Sequence, residues 1–384
     1  MPCTVLRTNF KLQSEQFLPI LIDKKGKSIP AQVDDLDADG KWDELAFLID
    51  LQKSETKKLK VKWVKKSKYP VFTSRANVRY GKTIADGKVV ELSSDVHNND
   101  LVKKFPCPYQ MDGIAWENDK VGFRHYYDGR NCRDFFGKRT SSMVLDKVGI
   151  QPDGNAGDTY HVMAPWGRDV LSVAKSIGIG GLAVMNLDSL IRLGVTAENT
   201  IDNVDSTKYT LINKGVVRGV FKLEFMGWNI GNVKINVTEL VTIWGGSYAY
   251  ENKIINPMMP SGCYFVTGIV DNNNNQPASE RKLHGQTLMF THDKQTYNKE
   301  FYLGLGLIIP QENFVNSFNA PKEGTGITTT WCAKLKPDLN NNLVYYPLAG
   351  WEMQDSLFRD RTFFEKVVNR EALKYSNPVK IWVD

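Results

Sequence analysis

Short runs that alternate apolar with polar side chains recur from one end of this chain to the other, and hardly anything repeats at a helical period. A strand sends successive side chains to opposite faces, so alternation marks a ribbon with one face buried and one face wet. Residues 17–22, 44–51, 58–64, 121–127, 219–225, 234–242 and 301–309 carry this pattern and are rich in β-branched or aromatic residues. Turn formers separate them: Lys25-Gly26, Asp39-Gly40, Asp112-Gly113, Asp153-Gly154 and the run 271–275. Only 166–177 and 362–374 suggest helices; in the second, Phe363, Phe364, Val367, Val368 and Leu373 form one rough stripe. Many strands with long loops and few helices predict an all-β fold, a large antiparallel β-sandwich with a few short helices. The expected organisation is one domain over 1–384, softly subdivided after an N-terminal region 1–105, where Phe105-Pro106-Cys107-Pro108 breaks the pattern.

Composition narrows the function classes. With 384 residues, 42% hydrophobic and 24% charged, the chain can bury a sizeable core without metal or disulfide support. The five cysteines are scattered and include no CxxC pair, which argues against a zinc ribbon or a redox centre. No stretch approaches the roughly 18 apolar residues of a membrane span, and no signal-peptide core is legible. The formal charge of +6 gathers mainly in 57–66, where Lys alternates with apolar residues as in a strand with a solvated face. No nucleic-acid module is recognisable. A mildly basic surface suits an anionic partner through steering. GxSxG, HExxH, phosphate-loop and dinucleotide signatures are absent.

Three constellations remain. In Asp35-Leu36-Asp37-Ala38-Asp39-Gly40, carboxylates at alternate positions precede a glycine, like the first half of a calcium loop. The glutamate that would close such a loop is replaced by Ala46, so the readings are an acidic turn or a structural Ca²⁺ on Asp35, Asp37 and Asp39; no other cofactor is expected. The second runs from Trp116-Glu117-Asn118 to Asp128. Alternation there puts Arg124, Tyr126 and Asp128 on one face and Phe123, His125 and Tyr127 on the other. An Arg/Tyr face fits a groove that holds a carboxylate, or else an internal ion pair. The third, 157–169, places Tyr160, His161, Trp166, Arg168 and Asp169 in a loop bounded by Gly and Pro. Trp166 can stack on a sugar, and His161 titrates near neutrality, as a general base should. His97, His284 and His292 are expected to be solvated, and Tyr345-Tyr346 with Trp351 forms a late aromatic cluster suited to packing or to a second sugar platform.

On these residues the chain resembles a family of exported bacterial proteins from polysaccharide-utilisation loci that includes an ulvan-oligosaccharide dehydratase. The likeness rests on Gln32 with Asp43-Glu44-Leu45-Ala46-Phe47, Trp116-Glu117-Asn118 with 123–128, Phe136-Gly137-Lys138, Tyr160-His161 with Trp166-Gly167 and Asp169, and Ala349-Gly350-Trp351-Glu352. It implies a sandwich of the galactose-mutarotase type, a periplasmic or exported location, and an acidic oligosaccharide, sulfated or not, as the partner. The implied reaction removes water from a terminal glucuronic or iduronic acid and leaves a 4,5-unsaturated uronate. Arg168 stands where that family commonly has an apolar residue, which implies a different anionic substrate.

Such a dehydration needs a cation on the carboxylate, a base for the C5 proton and an acid for the departing 4-hydroxyl. The expectation assigns Arg124 or Arg168 to the first task, His161 to the second and Tyr126 to the third, with His125, Tyr127 and Tyr160 as substitutes. Trp116, Glu117, Trp166 and Trp351 are expected to help bind substrate. Rival readings are a polysaccharide lyase using the same groups, a glycoside hydrolase on Glu117 and Asp169, a non-catalytic binding module on Trp116, Trp166 and Trp351, and a mutarotase-like activity.

Overall fold

The computed structural model describes residues 16–52, 54–98, 108–196 and 202–383. The expected boundary near residue 105 lies outside them, as do Cys3 and Cys107. The protein is an all-β sandwich built on a nine-stranded sheet. Its strands run in the order Ser279–Leu283, Gln286–Asp293, Leu303–Pro310, Leu343–Trp351, Tyr250–Ile255, Lys234–Trp244, Arg218–Asn229, Ser206–Lys214 and Ser94–Asn98. Every neighbouring pair is antiparallel.

Two five-stranded sheets share one continuous core with it. The first, which carries the candidate site, orders Gly167–Asp169, Arg133–Lys138, Gly122–Tyr126, Gly113–Asn118 and Ala76–Arg79. The second orders Ser189–Arg192, Ala183–Asn186, Cys263–Val270, Thr330–Leu335 and Phe314–Asn319. They meet at a seam in which Gly178 bridges Arg133 and Ile179 bridges Ile269. Gly178 has φ +74°, and a Cβ there would lie 1.6 Å from the Arg133 carbonyl oxygen, so only glycine fits the seam.

Aromatic side chains fill the space between the layers. Trp116 meets Phe221 and Tyr250 at 5.1 Å between ring centroids, and Phe123 meets Tyr250 at 4.7 Å. Trp351 from the large sheet lies flat over Gly137 of the site sheet, where an added Cβ would come within 2.5 Å of the indole. The helix Arg361–Ser376 covers the opposite face of the large sheet. Its Phe364 drops into the notch left by Gly304, and Tyr375 stacks on Tyr346 at 3.6 Å. Asp360 caps it by accepting a 2.8 Å bond from the Thr362 N–H.

The N-terminal strands form a smaller unit with its own core of Leu18, Leu21, Ala31, Trp42 and Leu45. Polar contacts fasten it to the large sheet. Gln32 accepts from the Val217 and Arg218 N–H groups at 2.9 and 3.1 Å, and Arg218 donates to Asp34 at 2.6 Å.

Two expectations about local structure fail. Residues 166–177 are not a helix: Gly167–Asp169 is an edge strand paired with Arg133–Lys138, and the remainder runs as turns. Its apolar residues Val170, Leu171, Val173 and Ile177 are buried one by one by the sheets, so their spacing imitated a helical stripe. His97 and His292 are buried, not solvated, because both lie on strands of the large sheet. His292 stacks on Tyr302 and Phe364 and bonds the Phe358 carbonyl at 2.7 Å.

Candidate functional site

The site sheet has two different faces. Trp116, Phe123, Phe135 and Tyr127 point into the main core. Ala115 and Phe136, on the other face, pack beneath Met111, Leu145, Val148 and Tyr160, with Val144 and Trp166 at the margin. The 139–166 segment is therefore a roof. A buried ion pair pins it down: Lys138 donates to Glu117 at 2.5 Å and to the Asn118 and Ser142 carbonyls at 2.6 and 2.9 Å. Glu117 also accepts from the Val144 and Leu145 N–H groups at 2.7 and 2.8 Å.

Alternation brings Arg124 and Tyr126 together under that roof. The Arg124 guanidinium is fully buried. A single nitrogen, Nη2, donates to the Tyr126 hydroxyl, to Asp134 Oδ2 and, at 2.8 Å, to Asp169 Oδ2. Nη1 reaches the Met111 carbonyl at 3.4 Å and lies 3.7 Å from Asp112. Tyr126 meets two cations, with the Arg124 and Arg130 guanidinium carbons 4.1 and 3.8 Å from its ring centre. Its hydroxyl donates to Asp134 at 3.0 Å. Arg130 is held by Asp128, with bonds of 2.8 and 3.0 Å from Nε, and keeps about a third of its side chain exposed. The Tyr160 hydroxyl donates to Asp112 at 3.3 Å.

His161 sits at the edge of this cluster with 54% of its side chain exposed. Its Nδ1 is 3.7 Å from Asp169 Oδ2, and its Nε2 is 3.2 Å from Asp158. Asp169 thus stands between the buried guanidinium and the exposed imidazole. Burial, reinforced by the charge of Asp134, pushes its carboxyl well above the ordinary range, against the pull of Arg124. Burial opposes the Arg124 charge, but Tyr126, Asp169 and Asp134 outweigh it and hold the group above its usual value. Burial likewise raises Tyr126 and Tyr160.

This geometry corrects several assignments. Arg124 already satisfies two carboxylates and is sealed, so it cannot clamp a substrate acid. Tyr126 is 6% exposed and directs its hydroxyl inward, and Tyr160 is 3% exposed, so neither phenol faces solvent as a donor would. His125 lies on the core face, bonded to Asn131 at 3.2 Å, and burial with the nearby Arg133 charge holds it well below its ordinary value. Tyr127 donates to the Thr207 carbonyl at 2.9 Å inside the core. Trp116 and Trp351 are core wedges, not sugar platforms. Glu117 is the roof's anchor and has no surface. Arg168 points to the face opposite Asp169 and pairs with Glu300 at 2.9 Å. Of the expected group, His161 and the half-buried Trp166 meet solvent.

Reading the sequence placed Asp128 on the face of Arg124 and Tyr126 but missed Asp134, Asp112, Arg130 and Asp158. The one available signal was Asp134 beside Phe135-Phe136 in the strand Arg133–Lys138, a position aspartate rarely takes without a partner. Asp35, Asp37 and Asp39 do converge, with ligand atoms within 4.8 Å of one another. Their oxygens already accept loop N–H groups, including Gly40 onto Asp35 at 2.8 Å and Asp39 onto Asp37 at 3.1 Å. An open concavity lies elsewhere, between 257–265 and 335–341. No described helix is long and apolar enough to cross a membrane, a statement that does not extend to β-barrels.

No curated protein matches the chain. A family profile, described as a domain of unknown function, matches residues 2–381, the span that holds every group of the cluster described above. The chain therefore belongs to the DUF4861 family.

Proposed function

We propose that the protein is an acid/base enzyme acting on the terminal uronate of an acidic oligosaccharide, and that it eliminates water across C4–C5. The observation that carries this reading is the exposed His161 imidazole backed by Asp169, which is itself fixed by buried Arg124. A carboxylate behind an imidazole sets its orientation and tautomer, as a general acid/base requires. The 3.7 Å separation is longer than a hydrogen bond, but such contacts tighten when substrate arrives. Of the two guanidiniums in the cluster, Arg130 has solvent access and takes the carboxylate role expected of Arg124 or Arg168. Trp166, half-buried against Phe136, offers a face for the sugar ring.

The same residues weaken the rivals. A paired-carboxylate hydrolase loses Glu117 to the roof, and a three-tryptophan binding module loses Trp116 and Trp351 to the core. A lyase would use the same groups and differs only in its leaving group.

The test is incubation with uronate-terminated oligosaccharides, followed by mass spectrometry and the ultraviolet absorbance of an unsaturated uronate. Loss of one water supports dehydration, whereas release of a sugar makes the enzyme a lyase. His161→Ala is expected to slow product formation by roughly 100-fold or more. A wild-type rate in that variant removes the assignment.

A further inference from the structure

The cluster holds more acid than base. Asp112, Asp128, Asp134, Asp158 and Asp169 face two guanidiniums, Arg124 and Arg130, and one imidazole. Asp128 and Asp112 are served by Arg130, and Asp158 is largely exposed to water. Asp134 and Asp169 are different, because both are buried against the same nitrogen of Arg124.

Nη2 carries two N–H bonds, yet three oxygens crowd it: Tyr126 Oη, Asp134 Oδ2 and Asp169 Oδ2. The Tyr126 proton goes to Asp134, and the Phe135 N–H serves the other Asp134 oxygen at 2.6 Å. The two Oδ2 atoms share one donor nitrogen, so they are nearer than two hydrogen-bond lengths, roughly 6 Å. Two charged carboxylates that close, out of water, with one guanidinium between them leave a net negative charge buried.

We infer that Asp134 and Asp169 share one proton beneath Arg124, so that His161 faces a carboxyl whose charge is set by Asp134. Asp134 is then a positioning residue acting on His161 through Asp169. It keeps Asp169 from locking the imidazole as an imidazolium before substrate binds. The upward displacement of Asp169 by burial and by the Asp134 charge agrees with this arrangement. Around the pair stand Tyr126 and Tyr160 on the ring side, Arg130 and Asp112 beyond Tyr126, and Asp158 on the far side of His161. This deepens the acid/base reading of His161 and takes only its catalytic meaning from it.

The test needs no substrate. Aspartate carboxyl carbons and the His161 ring are followed by NMR through a pH titration of the whole chain. In the wild type, one aspartate carboxyl stays protonated at pH 6, well above the ordinary value of about 3.9. Asp134→Asn abolishes that signal and raises the proton affinity of His161 by about tenfold, because Asp169 becomes a full anion. Asp112→Asn leaves the high-titrating carboxyl in place. If Asp134→Asn does not fold, Asp169→Asn must remove the same signal. The inference is overturned if no wild-type carboxyl titrates above the ordinary range, or if Asp134→Asn leaves His161 unmoved. Either result stands apart from whether the protein dehydrates a uronate.

Discussion

Replacing Lys138 by Met tests how the roof over the candidate site is held. Lys138 and Glu117 are both fully buried, and the ammonium serves Glu117, the Asn118 carbonyl and the Ser142 carbonyl together. Methionine fills much of the same volume, so the loss is chiefly electrostatic. Breaking one side of a buried pair costs about 3–5 kcal/mol, because the other charge stays behind without its partner. Glu117 would keep its bonds from the Val144 and Leu145 N–H groups, at 2.7 and 2.8 Å, which places the cost toward the lower end. For 384 residues at roughly 2 cal/mol/K each, the unfolding entropy is about 0.8 kcal/mol/K, so about 3 kcal/mol lowers Tm by about 4 °C. Differential scanning calorimetry reads that shift. Hydrogen exchange at Val144 and Leu145 should accelerate by more than exchange in the Leu303–Pro310 strand. The double variant Glu117→Gln with Lys138→Met should recover part of the loss, since no orphaned charge remains. A single variant within about 1 kcal/mol of wild type would refute the claim that this pair pins the roof.

The remaining predictions concern packing, pH and substrate. Gly137→Ala forces a methyl group into the Trp351 indole, 2.5 Å away; the expected cost is about 1–3 kcal/mol by chemical denaturation, and a neutral result would mean the two sheets slide apart freely. His125 and His292 are both pushed below the ordinary histidine value by burial. Each takes a proton when unfolded below about pH 6.5 but not when folded, so stability present above that pH is lost as pH falls, by about 1.4 kcal/mol per unit for each. His292→Gln should flatten the acid limb of Tm against pH by one histidine's share, and identical limbs would contradict the assignment. Arg130→Ala should raise KM for a uronate-terminated substrate about 10- to 100-fold with a smaller change in kcat, as loss of a charged hydrogen bond would; an unchanged KM would mean the carboxylate docks elsewhere.

How far these properties could be read in advance differs between strand and site. Alternation located the strands because burial of one face is a local constraint: residues 17–22 form the strand Phe17–Ile22 with matching ends, and 219–225 and 234–242 grow into the longer Arg218–Asn229 and Lys234–Trp244. The stripe at 362–374 became the helix Arg361–Ser376 for the same reason. Residues 166–177 misled because Val170, Leu171 and Val173 are buried in the main core and Ile177 in a second cluster, a tertiary effect that no window of sequence contains. His97 and His292 looked solvated amid polar neighbours, yet each strand direction turns its ring inward.

The candidate site shows why face was legible and access was not. Period-2 alternation correctly joined Arg124 with Tyr126 and opposed them to Phe123, His125 and Tyr127. From that, an open cationic groove followed only if nothing neutralised the arginine. Asp134 and Asp169, 10 and 45 residues further on, do so through pairing of Gly122–Tyr126 with Arg133–Lys138 and of that strand with Gly167–Asp169. A strand's sequence states which side chains share a face, but the register of its neighbours decides which charges cancel there. Here the cancellation leaves the buried guanidinium without free charge, and under the proposed function moves the reactive edge outward to His161. An anionic substrate approaching that edge meets an acid-rich cluster, which is bearable only if some of those acids are protonated. Binding of a uronate should therefore draw a proton from solution, and its calorimetric enthalpy should vary with the ionisation enthalpy of the buffer. An enthalpy independent of buffer would show that no acid of the cluster takes up a further proton on binding, and would refute this coupling.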